Sequence, residues 1–550
     1  MDYTPIPVVT FDEAKRLDEF SISYCNCTPF SLMQKAAASL WQRFISHINE
    51  ESSFQIDPTS HLIFLAGNSN NGGDSIGMAI NAYQSGYKNT TVVIVSKEGS
   101  DSYNQMYANL IRLPIRVLTI QEALKEENKD LLKSDFLFDG ICGIGVEDKP
   151  LRACWVLLLD AILIYNPIVV AIDVPSGLQT LLAHITLSVE LPKVPFYSLK
   201  KRALCGTILW APIPFPIKAY ENIIFNRKDM LFLGKKITND LTAINDPEYF
   251  KSKSYLFHKY KRGVVTLFVG SKFYAGAALL SALGASATGA GYIKVFTHRL
   301  VFSILLQALP GAVCNSIKGN IKKSIKQEKG YLVVGSGWGT SSFFANRLKT
   351  IINGQKDFLV IDASAIKIIA NNIKIFYPLI SRYQGSILLT PHRGEFDFLY
   401  QSFFSYLKKK KKESLLEPVN APFYKKVLAL SKVFNCEILA KDAISHYCYK
   451  KQDCYQLLFF DGLNSALAVA GSGDILASFI IGLVAKINSY KKATFYDAVP
   501  IALALQDYAA NKCYKEIGFF QAHEFILALK KATSFVFPKI ECGGIYGKSK

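Results

Sequence analysis

The sequence predicts an α/β protein of two domains, each built on a parallel sheet with helices on both faces. Short apolar runs, typical of buried parallel strands, alternate with helical patterns along most of the chain. These runs are 62–66, 91–95, 136–138 and 168–172 in the first half, and 264–269, 331–334, 358–361, 386–389 and 437–440 in the second. A chain of 550 residues is also too long for a single hydrophobic core. We therefore expect one domain at 1–225, a less regular linker at 226–255 and a second domain at 256–550.

Composition and charge exclude several other classes of protein. Half of the residues are hydrophobic, and the formal charge of +19 comes from scattered lysines, so we expect no nucleic-acid partner. The one lysine block, 408–412, is predicted to be a solvated loop. The longest apolar stretch, 155–172, contains Asp160 and an Asn-Pro turn, which indicates a helix and then a strand, not a membrane span. The lack of a secretory signal and eleven cysteines without paired spacing indicate reduced thiols in a cytoplasmic protein.

The most informative motif is the segment 464–474. It places a Gly-Ser-Gly turn and Asp474 directly before an apolar run, 475–484, that is predicted to be a buried helix. A glycine turn at a helix N-terminus presents backbone N–H groups and a positive dipole end to an anion. An Asp there can take a proton from a hydroxyl that attacks a phosphoryl group. The motif indicates phosphoryl transfer from a nucleotide, and an ordinary helix cap is the alternative.

A second glycine cluster, 67–74, follows the predicted strand 62–66 and precedes a helical pattern from Ile76. Strand, glycine-rich turn and helix form the phosphate-binding layout of a Rossmann-like sheet. Asn70, Asn71 and Asp74 add oxygens that suit a hard cation or sugar hydroxyls. The alternative is a tight Asn-Gly turn.

Polar or glycine-rich segments follow the other strands as well, and ligands bind at this carboxyl edge of parallel sheets. Any one of them could be an ordinary turn, but their joint occurrence indicates ligand binding in both halves. The segments are 139–145, 173–177, 270–277, 335–339, 362–364 and 390–395.

In order and spacing these motifs resemble the bifunctional NAD(P)H-hydrate repair enzymes, which join an epimerase domain to a dehydratase domain of ribokinase-like fold. In the first half, the family's G-x-G-N-N-G-G-D-G loop is similar to 67–75, its D-A-x-x-G-T-G to 139–145 and its I-D-x-P-S-G to 172–177. In the second half, its G-P-G-x-G is similar to 335–339, its D-A-D-A to 362–365, its L-T-P-H-x-G-E to 389–395, its L-K-G to 440–442 and its N-x-x-x-A-x-A-G-T/S-G-D to 464–474.

For the first half, the resemblance implies epimerisation of hydrated NADH and NADPH. It implies a potassium ion held by Asn71, Asp139 and Ser176, and Asp173 as the residue that handles protons while the hydrated ring opens and recloses. The implied contacts to the hydrated dinucleotide are Asn70, Asn71, Gly72, Gly73, Asp74, Gly143, Ile144, Gly145, Val146, Glu147, Asp148, Lys149 and Asp173.

For the second half, the resemblance implies that ADP or ATP, with Mg²⁺, phosphorylates the C6 hydroxyl of the hydrate, after which phosphate leaves. Asp474 would be the base, and homo-oligomers are expected because relatives assemble. The implied substrate contacts are Ala277, Gly337, His392 and Asp474, and the implied nucleotide contacts are Lys441, Asp442, Ala443, Asn464, Gly471, Ser472 and Gly473.

The sequence also departs from the family pattern. Ser69 and Ser75 stand where the family has glycines, Ile144 where it has Thr, and an acidic insert after 177 is missing. Serine lacks the freedom of glycine at positive φ, so we expect these changes to affect epimerase activity more than the fold. In the second half Ser364 replaces Asp and Asp442 replaces Gly. The alternatives are a ribokinase-like small-molecule kinase fused to a non-catalytic binding domain, a binding or scaffold protein, and a nucleic-acid-binding protein.

Overall fold

The computed structural model describes residues 6–25, 27–50, 54–144, 150–176, 181–213, 215–234, 259–319, 330–354, 357–490 and 492–537. The chain divides into two compact units, Ile6–Met230 and Leu231–Lys550 with Met1–Pro5. Five predicted dinucleotide contacts, 145–149, lie outside the described residues. None of the described helices is long and apolar enough to cross a membrane.

The N-terminal unit is built on a seven-stranded sheet in the order β4-β3-β2-β5-β6-β7-β8, in which all neighbouring strands run parallel. The strands of this sheet are β2 (Leu62–Ala66), β3 (Thr90–Ile94), β4 (Arg116–Thr119), β5 (Phe136–Gly140), β6 (Ile168–Ile172), β7 (Ile185–Val189) and β8 (Thr207–Ala211). The two-residue strand β1 (Ile6–Pro7) is not part of it. The α-helices of this unit are Phe11–Cys25, Pro29–Glu50, Asn70–Gln84, Asp101–Leu110, Ile120–Ala123, Ala153–Leu163, Leu199–Arg202 and Ile217–Tyr220.

The four strands predicted in this half are present, within about two residues at each end. Strands β4, β7 and β8 were not predicted, because each carries polar residues that interrupt the continuous apolar run of a buried strand. The stretch 155–172 is a helix followed by β6, as expected.

The glycine cluster was predicted to be a turn before a helix. That prediction is wrong for most of the cluster, which belongs to the helix Asn70–Gln84. The glycines are needed for close packing. A Cβ on Gly72 would lie 1.7 Å from the carbonyl oxygen of Gly67, and one on Gly73 would lie 2.4 Å from Met33 Sδ. The glycines therefore let the start of this helix press against the end of β2 and against the helix Pro29–Glu50.

The C-terminal unit is built on a larger sheet in the order β9-β18-β17-β16-β15-β14-β13-β10-β11-β12. Its strands are β9 (Asp229–Leu233), β10 (Val264–Phe268), β11 (Tyr292–Thr297), β12 (Val313–Ser316), β13 (Tyr331–Val334), β14 (Phe358–Ile361), β15 (Ser386–Leu389), β16 (Glu437–Ala440), β17 (Ile444–Lys451) and β18 (Cys454–Asp461). Its α-helices are Ala275–Ala287, Phe302–Ala308, Ser342–Gly354, Ser364–Asn371, Ile373–Ser381, Arg393–Lys409, Phe423–Phe434, Ser472–Asn488, Phe495–Ile517 and Ile526–Val536.

Strands β10 to β16 pair in parallel, and β16, β17 and β18 pair antiparallel. The register aligns the carboxyl ends, because Val334 pairs with Ile361 and Ile361 with Leu389. Strand β9 lies inside the predicted linker, whose residues 235–255 are outside the described ranges. The lysine block is only partly a loop, since Lys408 and Lys409 end a helix.

The predicted buried helix is Ser472–Asn488, and nearly all of its residues after Asp474 are buried. It packs against the helix Ala275–Ala287, where a Cβ on Gly284 would lie 2.6 Å from the carbonyl oxygen of Ile475. This close approach fixes the start of the helix, and therefore Asp474, in the interior of the unit.

Candidate active sites

The N-terminal unit contains a cavity of about 530 Å³ at the carboxyl ends of its central strands. It brings together many of the residues that the sequence singled out, along with four residues that sequence reasoning missed: Asp18, Ser100, Glu190 and Lys193. Among the predicted residues, the cavity is lined by Asn70, Asn71, Asp74, Gly143, Ile144 and Asp173.

Asn71 is the clearest indication of ligand binding at this site. Its side chain is buried, and neither its Oδ1 nor its Nδ2 has a hydrogen-bond partner among the described residues. A buried amide without a partner is costly, so its presence indicates a group that the protein binds. A Cβ on Gly143 would lie 3.1 Å from Asn71 Cβ, which places this side chain against the loop after β5.

Asp139 and Ser176 form a buried pair beside that loop. Ser176 donates from Oγ to Asp139 Oδ1 at 2.5 Å and from its backbone N–H to Oδ2 at 2.8 Å. The Cys142 N–H donates to Ser176 Oγ at 3.0 Å, so the pair reaches the residue next to Gly143. Burial raises the pKa of Asp139 to about 6, although hydrogen bonds from Ser176 oppose the rise. A cation beside this carboxyl would favour its ionised form.

Asp173 follows β6 with a φ of 65°, a left-handed conformation that is uncommon for a residue other than glycine. Its Oδ1 accepts a hydrogen bond at 2.7 Å from Nζ of Lys193, which is only 2% exposed. Lys193 also donates to Ser188 Oγ and to the carbonyl of Val189. Sequence reasoning missed this lysine, although a buried lysine must be paired and its position after an apolar segment was a usable signal.

The serines that replace family glycines do not need a positive φ, so the predicted backbone strain is wrong. Ser69 has a φ of −110°, and Ser75 lies inside a helix. Ser75 Oγ donates to the carbonyl of Leu65 at 2.9 Å. A Cβ on Gly140 would lie 2.4 Å from Ser75 Cβ. Since the family pattern has Ala at the position of Gly140 and Gly at that of Ser75, the two departures compensate each other.

In the C-terminal unit, Asp474 lies in the first turn of the helix Ser472–Asn488, preceded by Gly471 at a φ of 92°. Side chains of the helix Phe495–Ile517 anchor this segment by hydrogen bonds. Gln506 Nε2 donates to the carbonyl of Ser472 at 2.9 Å, and Asn464 Nδ2 donates to Asp507 Oδ1 at 2.7 Å. Asn464 therefore has a structural partner in addition to its predicted contact with the nucleotide.

A charged network surrounds Asp474. Lys441 Nζ lies 2.7 Å from Asp362 Oδ1, which also accepts from Thr390 Oγ1 at 2.7 Å. Ser336 Oγ donates to Asp362 Oδ2 at 2.9 Å and also bonds to the Asp474 carboxylate. Sequence reasoning noted Asp362 at a strand end and gave it no role.

The protonation of this network follows from burial and charge. Burial raises the pKa of Asp474 to about 7; the carboxylate of Asp362 adds to the rise, and Lys441 opposes it. Burial by itself would lower the pKa of Lys441, but Asp362 and Glu395 reverse that effect and raise it. The lysine is thus held charged, and the aspartate is poised near neutral pH, which suits a general base.

The predicted substrate and nucleotide residues of this half lie near each other. His392 caps the helix Arg393–Lys409, because its Nδ1 accepts from the N–H groups of Gly394 and Glu395. The Lys441 N–H donates to the carbonyl of Pro391 at 2.7 Å, which places His392 beside the lysine. A Cβ on Gly473 would lie 3.2 Å from Lys441 Nζ.

Two further pairs complete the site. A Cβ on Gly337, whose φ is 68°, would lie 2.5 Å from Ala277 Cβ, so these two predicted substrate residues are in contact. Asp442 accepts from the Ala443 N–H at 2.8 Å and lies 3.7 Å from Nη1 of Arg393. The arginine therefore offsets the carboxylate that this chain carries where the family has glycine.

The folds and sites define a two-domain α/β protein with a cavity rich in carboxyl groups in one domain and a lysine–carboxylate network at a helix N-terminus in the other. Residues 265–531 match the family model described as NAD(P)H-hydrate dehydratase, and residues 29–193 match that of the YjeF-related protein N-terminus. The chain therefore carries a domain of each of these two families, and over most of its length it is similar to proteins named bifunctional NAD(P)H-hydrate repair enzymes.

The sequence identity to individual relatives is low, but the similarity extends over most of the chain. The chain is 24% identical to a bifunctional NAD(P)H-hydrate repair enzyme of Dictyoglomus turgidum, over 88% of this chain and 91% of the relative. It is 26% identical to one of Thermosynechococcus vestitus, over 83% of this chain and 84% of the relative. Among solved structures, a ribokinase-like superfamily protein of Enterococcus faecalis is 20% identical, with a TM-score of 0.44, and covers 52% of this chain and 93% of its own.

Proposed function

We propose that this protein repairs hydrated NADH and NADPH. The N-terminal domain, at 1–225, interconverts the R and S epimers of the hydrate. The C-terminal domain, at 256–550 after a linker at 226–255, dehydrates the S epimer with ADP or ATP. The observation that carries the proposal is the position of Asp474, at the start of a buried helix and beside a lysine that three carboxyl groups surround. We infer further that the protein acts as a homo-oligomer in the cytoplasm.

For dehydration, the geometry supports phosphorylation followed by elimination. Asp474 takes the proton of the C6 hydroxyl as that oxygen attacks the terminal phosphorus of the nucleotide. The N–H groups of 471–473, at the helix start, stabilise the charge on the transferred group, and Lys441 neutralises the phosphate oxygens. Phosphate then leaves C6 with the bonding electrons while C5 loses a proton, which restores the ring double bond. With ADP as donor, the products are phosphate and AMP.

The donor nucleotide brings its own requirement for a metal ion. Mg²⁺ is usually held by phosphate oxygens and one or two carboxylates, and it offsets charge on the transferred group. Among the described residues no three acidic, His or Cys side chains are placed so that they could hold a metal ion together. We therefore assign Mg²⁺ to the bound nucleotide, with Asp362 and Glu395 as the nearby acidic groups.

For epimerisation, we assign a potassium ion to Asn71, Asp139 and Ser176. The unsatisfied amide of Asn71 and the buried carboxyl of Asp139 are hard oxygen donors, which fit a large monovalent cation. When bound, the cation would offset negative charge on the substrate. Asp173, held by Lys193, handles the proton of the C6 hydroxyl.

The test is recovery of reduced-nicotinamide absorbance from chemically prepared hydrated NADH, with Mg²⁺ and either ADP or ATP. We expect recovery in the wild type and a loss of about 10²–10⁴-fold in Asp474→Asn, because the base is removed. The exposed Asp453→Asn is the matched control and should retain full activity. The wild-type rate should rise with pH through about 7, since Asp474 must be ionised to act.

No recovery with either nucleotide would reject the proposal. A stable phosphorylated product from another small molecule would then favour the ribokinase-like kinase. Recovery of the S epimer alone would limit the activity to the C-terminal domain and make the N-terminal domain a binding module.

A further inference from the structure

The N-terminal cavity contains more carboxyl groups than the proposed epimerisation has used, and the inference below rests on that proposed function. Four carboxyl groups line the cavity: those of Asp18, Asp74, Asp173 and Glu190. The buried cation among them is Lys193. A reaction that moves protons at two atoms of one substrate needs two groups in different states of protonation. The hydrogen-bond and ion-pair partners of each carboxyl group indicate which of them can exchange a proton with a ligand.

Two of the four carboxyl groups have fixed partners. Asp173 is bound at 2.7 Å by Lys193 and at 3.3 Å by the N–H of Val189. Glu190 accepts from the hydroxyl of Tyr220 on one oxygen and from the N–H of Ile213 on the other. Asp173 thus has a cation as its partner, whereas Glu190 has both oxygens occupied by neutral donors and little freedom to exchange a proton with a ligand.

Asp18 differs from both of these. It lies on the helix Phe11–Cys25, is half-buried, and among the described residues its carboxyl has no hydrogen-bond or ion-pair partner. Burial raises its pKa to about 7, the charge of Lys193 opposes the rise, and the carboxylates of Asp173, Glu19 and Glu190 add to it. This carboxyl is therefore free to release and accept a proton near neutral pH.

Asp74 is the other carboxyl without a partner among the described residues, but it is less suited to that exchange. It lies on the helix Asn70–Gln84, and burial, with the charges of Asp173 and Asp18, raises its pKa well above the ordinary range. Burial therefore disfavours the ionised form of Asp74, which suits a hydrogen-bond donor to the substrate better than a group that must release and regain a proton in every cycle.

We propose that Asp18 is the second catalytic residue of the epimerase, exchanging a proton with ring nitrogen N1 while Asp173 exchanges one with the C6 hydroxyl. In the opening step, Asp173 takes the hydroxyl proton and the C6–O bond becomes a carbonyl. The N1–C6 bond breaks, its electron pair goes to N1, and N1 takes the proton of Asp18.

Closing reverses each transfer after rotation about the C5–C6 bond. N1 attacks the opposite face of the carbonyl carbon and returns its proton to Asp18, and the new C6 alkoxide takes the proton held by Asp173. No atom or electron is gained or lost, and no co-reactant is needed. A group with balanced affinity for the proton is required, because the same carboxyl must give and take it in every cycle.

The experiment uses the full-length protein and the R epimer of hydrated NADH without nucleotide, with the epimers separated by chromatography. We expect Asp18→Asn to lower kcat of epimerisation by about 10²–10⁴-fold. Asp12→Asn, at an exposed acidic residue of the same helix, is the matched control and should keep the wild-type rate. Asp18→Glu should recover part of the activity. Dehydration of the S epimer with nucleotide, and the melting temperature, should be unchanged in Asp18→Asn, which shows that the variant is folded.

The pH profile gives a second readout. Opening requires Asp18 to be protonated, so wild-type kcat should fall as pH rises above about 7. The charged and titratable groups that face it are Lys193, Asp173, Asp74, Glu19 and Glu190. In Asp18→Asn this alkaline decline should disappear from the residual rate.

Three results would overturn the inference. One is wild-type kcat in Asp18→Asn, and another is a change confined to KM, which would make Asp18 a binding residue only. The third is a wild type that dehydrates the S epimer and never converts the R epimer. That last result rejects the proposed epimerase itself, and it is seen before any variant is compared.

Discussion

The carboxyl groups that surround the central lysine are held differently in the two sites. In the N-terminal unit, Lys193 is bound to one carboxylate, and the other carboxyl groups of the cavity are held by neutral partners or by none. In the C-terminal unit, Lys441 is bound to Asp362 and lies within electrostatic reach of Glu395 and Asp474.

The difference matches the chemistry proposed for each site. A site that only moves protons benefits from carboxyl groups in different protonation states, which the uneven pairing around Lys193 produces. A site that receives nucleotide phosphates needs a positive charge that is positioned before the ligand arrives, and the acids around Lys441 keep that lysine charged in a buried location.

Removing the lysine of the C-terminal site should have the largest effect. In Lys441→Met we expect dehydration kcat to fall about 10²–10³-fold, because a preorganised charge on the phosphoryl group is lost. The pKa of Asp474 should rise further, since Lys441 holds it down, so the acid limb of the rate profile should move to higher pH. Steady-state rates between pH 5 and 9 measure both effects. The exposed Lys450→Met is the control, and an unmoved acid limb would show that the two groups are not coupled.

Removing the lysine of the N-terminal site should act mainly on stability. In Lys193→Met the Asp173 carboxylate stays buried without its cation, which costs about 3–5 kcal/mol of unfolding free energy. Denaturant unfolding followed by tryptophan fluorescence checks this, since three of the four tryptophans, Trp41, Trp155 and Trp210, lie in this unit. The exposed Lys200→Met should change the same free energy by less than about 0.5 kcal/mol. Equal stability of the two variants would contradict the pairing.

The smallest effect is expected for the contact between Ser75 and Gly140, where the family pattern has Gly and Ala. In Gly140→Ala the added methyl group would lie 2.4 Å from Ser75 Cβ, and we expect a loss of about 1–3 kcal/mol from overpacking. The double variant with Ser75→Gly should recover most of that loss, with a coupling energy of about 0.5–3 kcal/mol in a double-mutant cycle. If the stability changes of the two single variants simply add, residues 75 and 140 are not coupled, and their proposed compensation is contradicted.

Much of this architecture follows from local sequence patterns. The strands β2, β6, β13, β14, β15 and β16 have the predicted bounds because each is a continuous apolar run that ends at a polar or glycine residue. The helix after Gly471 was predictable from the turn and the apolar run that follows it. The hairpin of β17 and β18 was missed because its turn carries Gln452 at a φ of 55° in place of the usual Asn or Gly.

The residues missed at the two sites share a different cause. Asp18 and Lys193 belong to no short motif, and Asp362 lies in a motif from which no role was predicted for it. Each becomes part of a site only when distant elements are brought together. Lys193 meets Asp173 across twenty positions of sequence, and Lys441 meets Asp362 across seventy-nine. Single-sequence patterns report on neighbours along the chain, so pairs of this kind are visible only in the folded structure.

The bond from the Lys441 N–H to the carbonyl of Pro391 has a consequence for how specificity can change. It joins the segment of Lys441, the proposed contact to the nucleotide, to the segment of His392, the proposed contact to the hydrate, at the ends of neighbouring strands of one sheet. The separation of these two backbone segments is therefore set by the spacing of adjacent strands, about 4.8 Å, and not by the length of any loop. Loops around the pocket can lengthen, shorten or exchange residues to admit a different molecule while the relative position of the two proposed contacts stays constant.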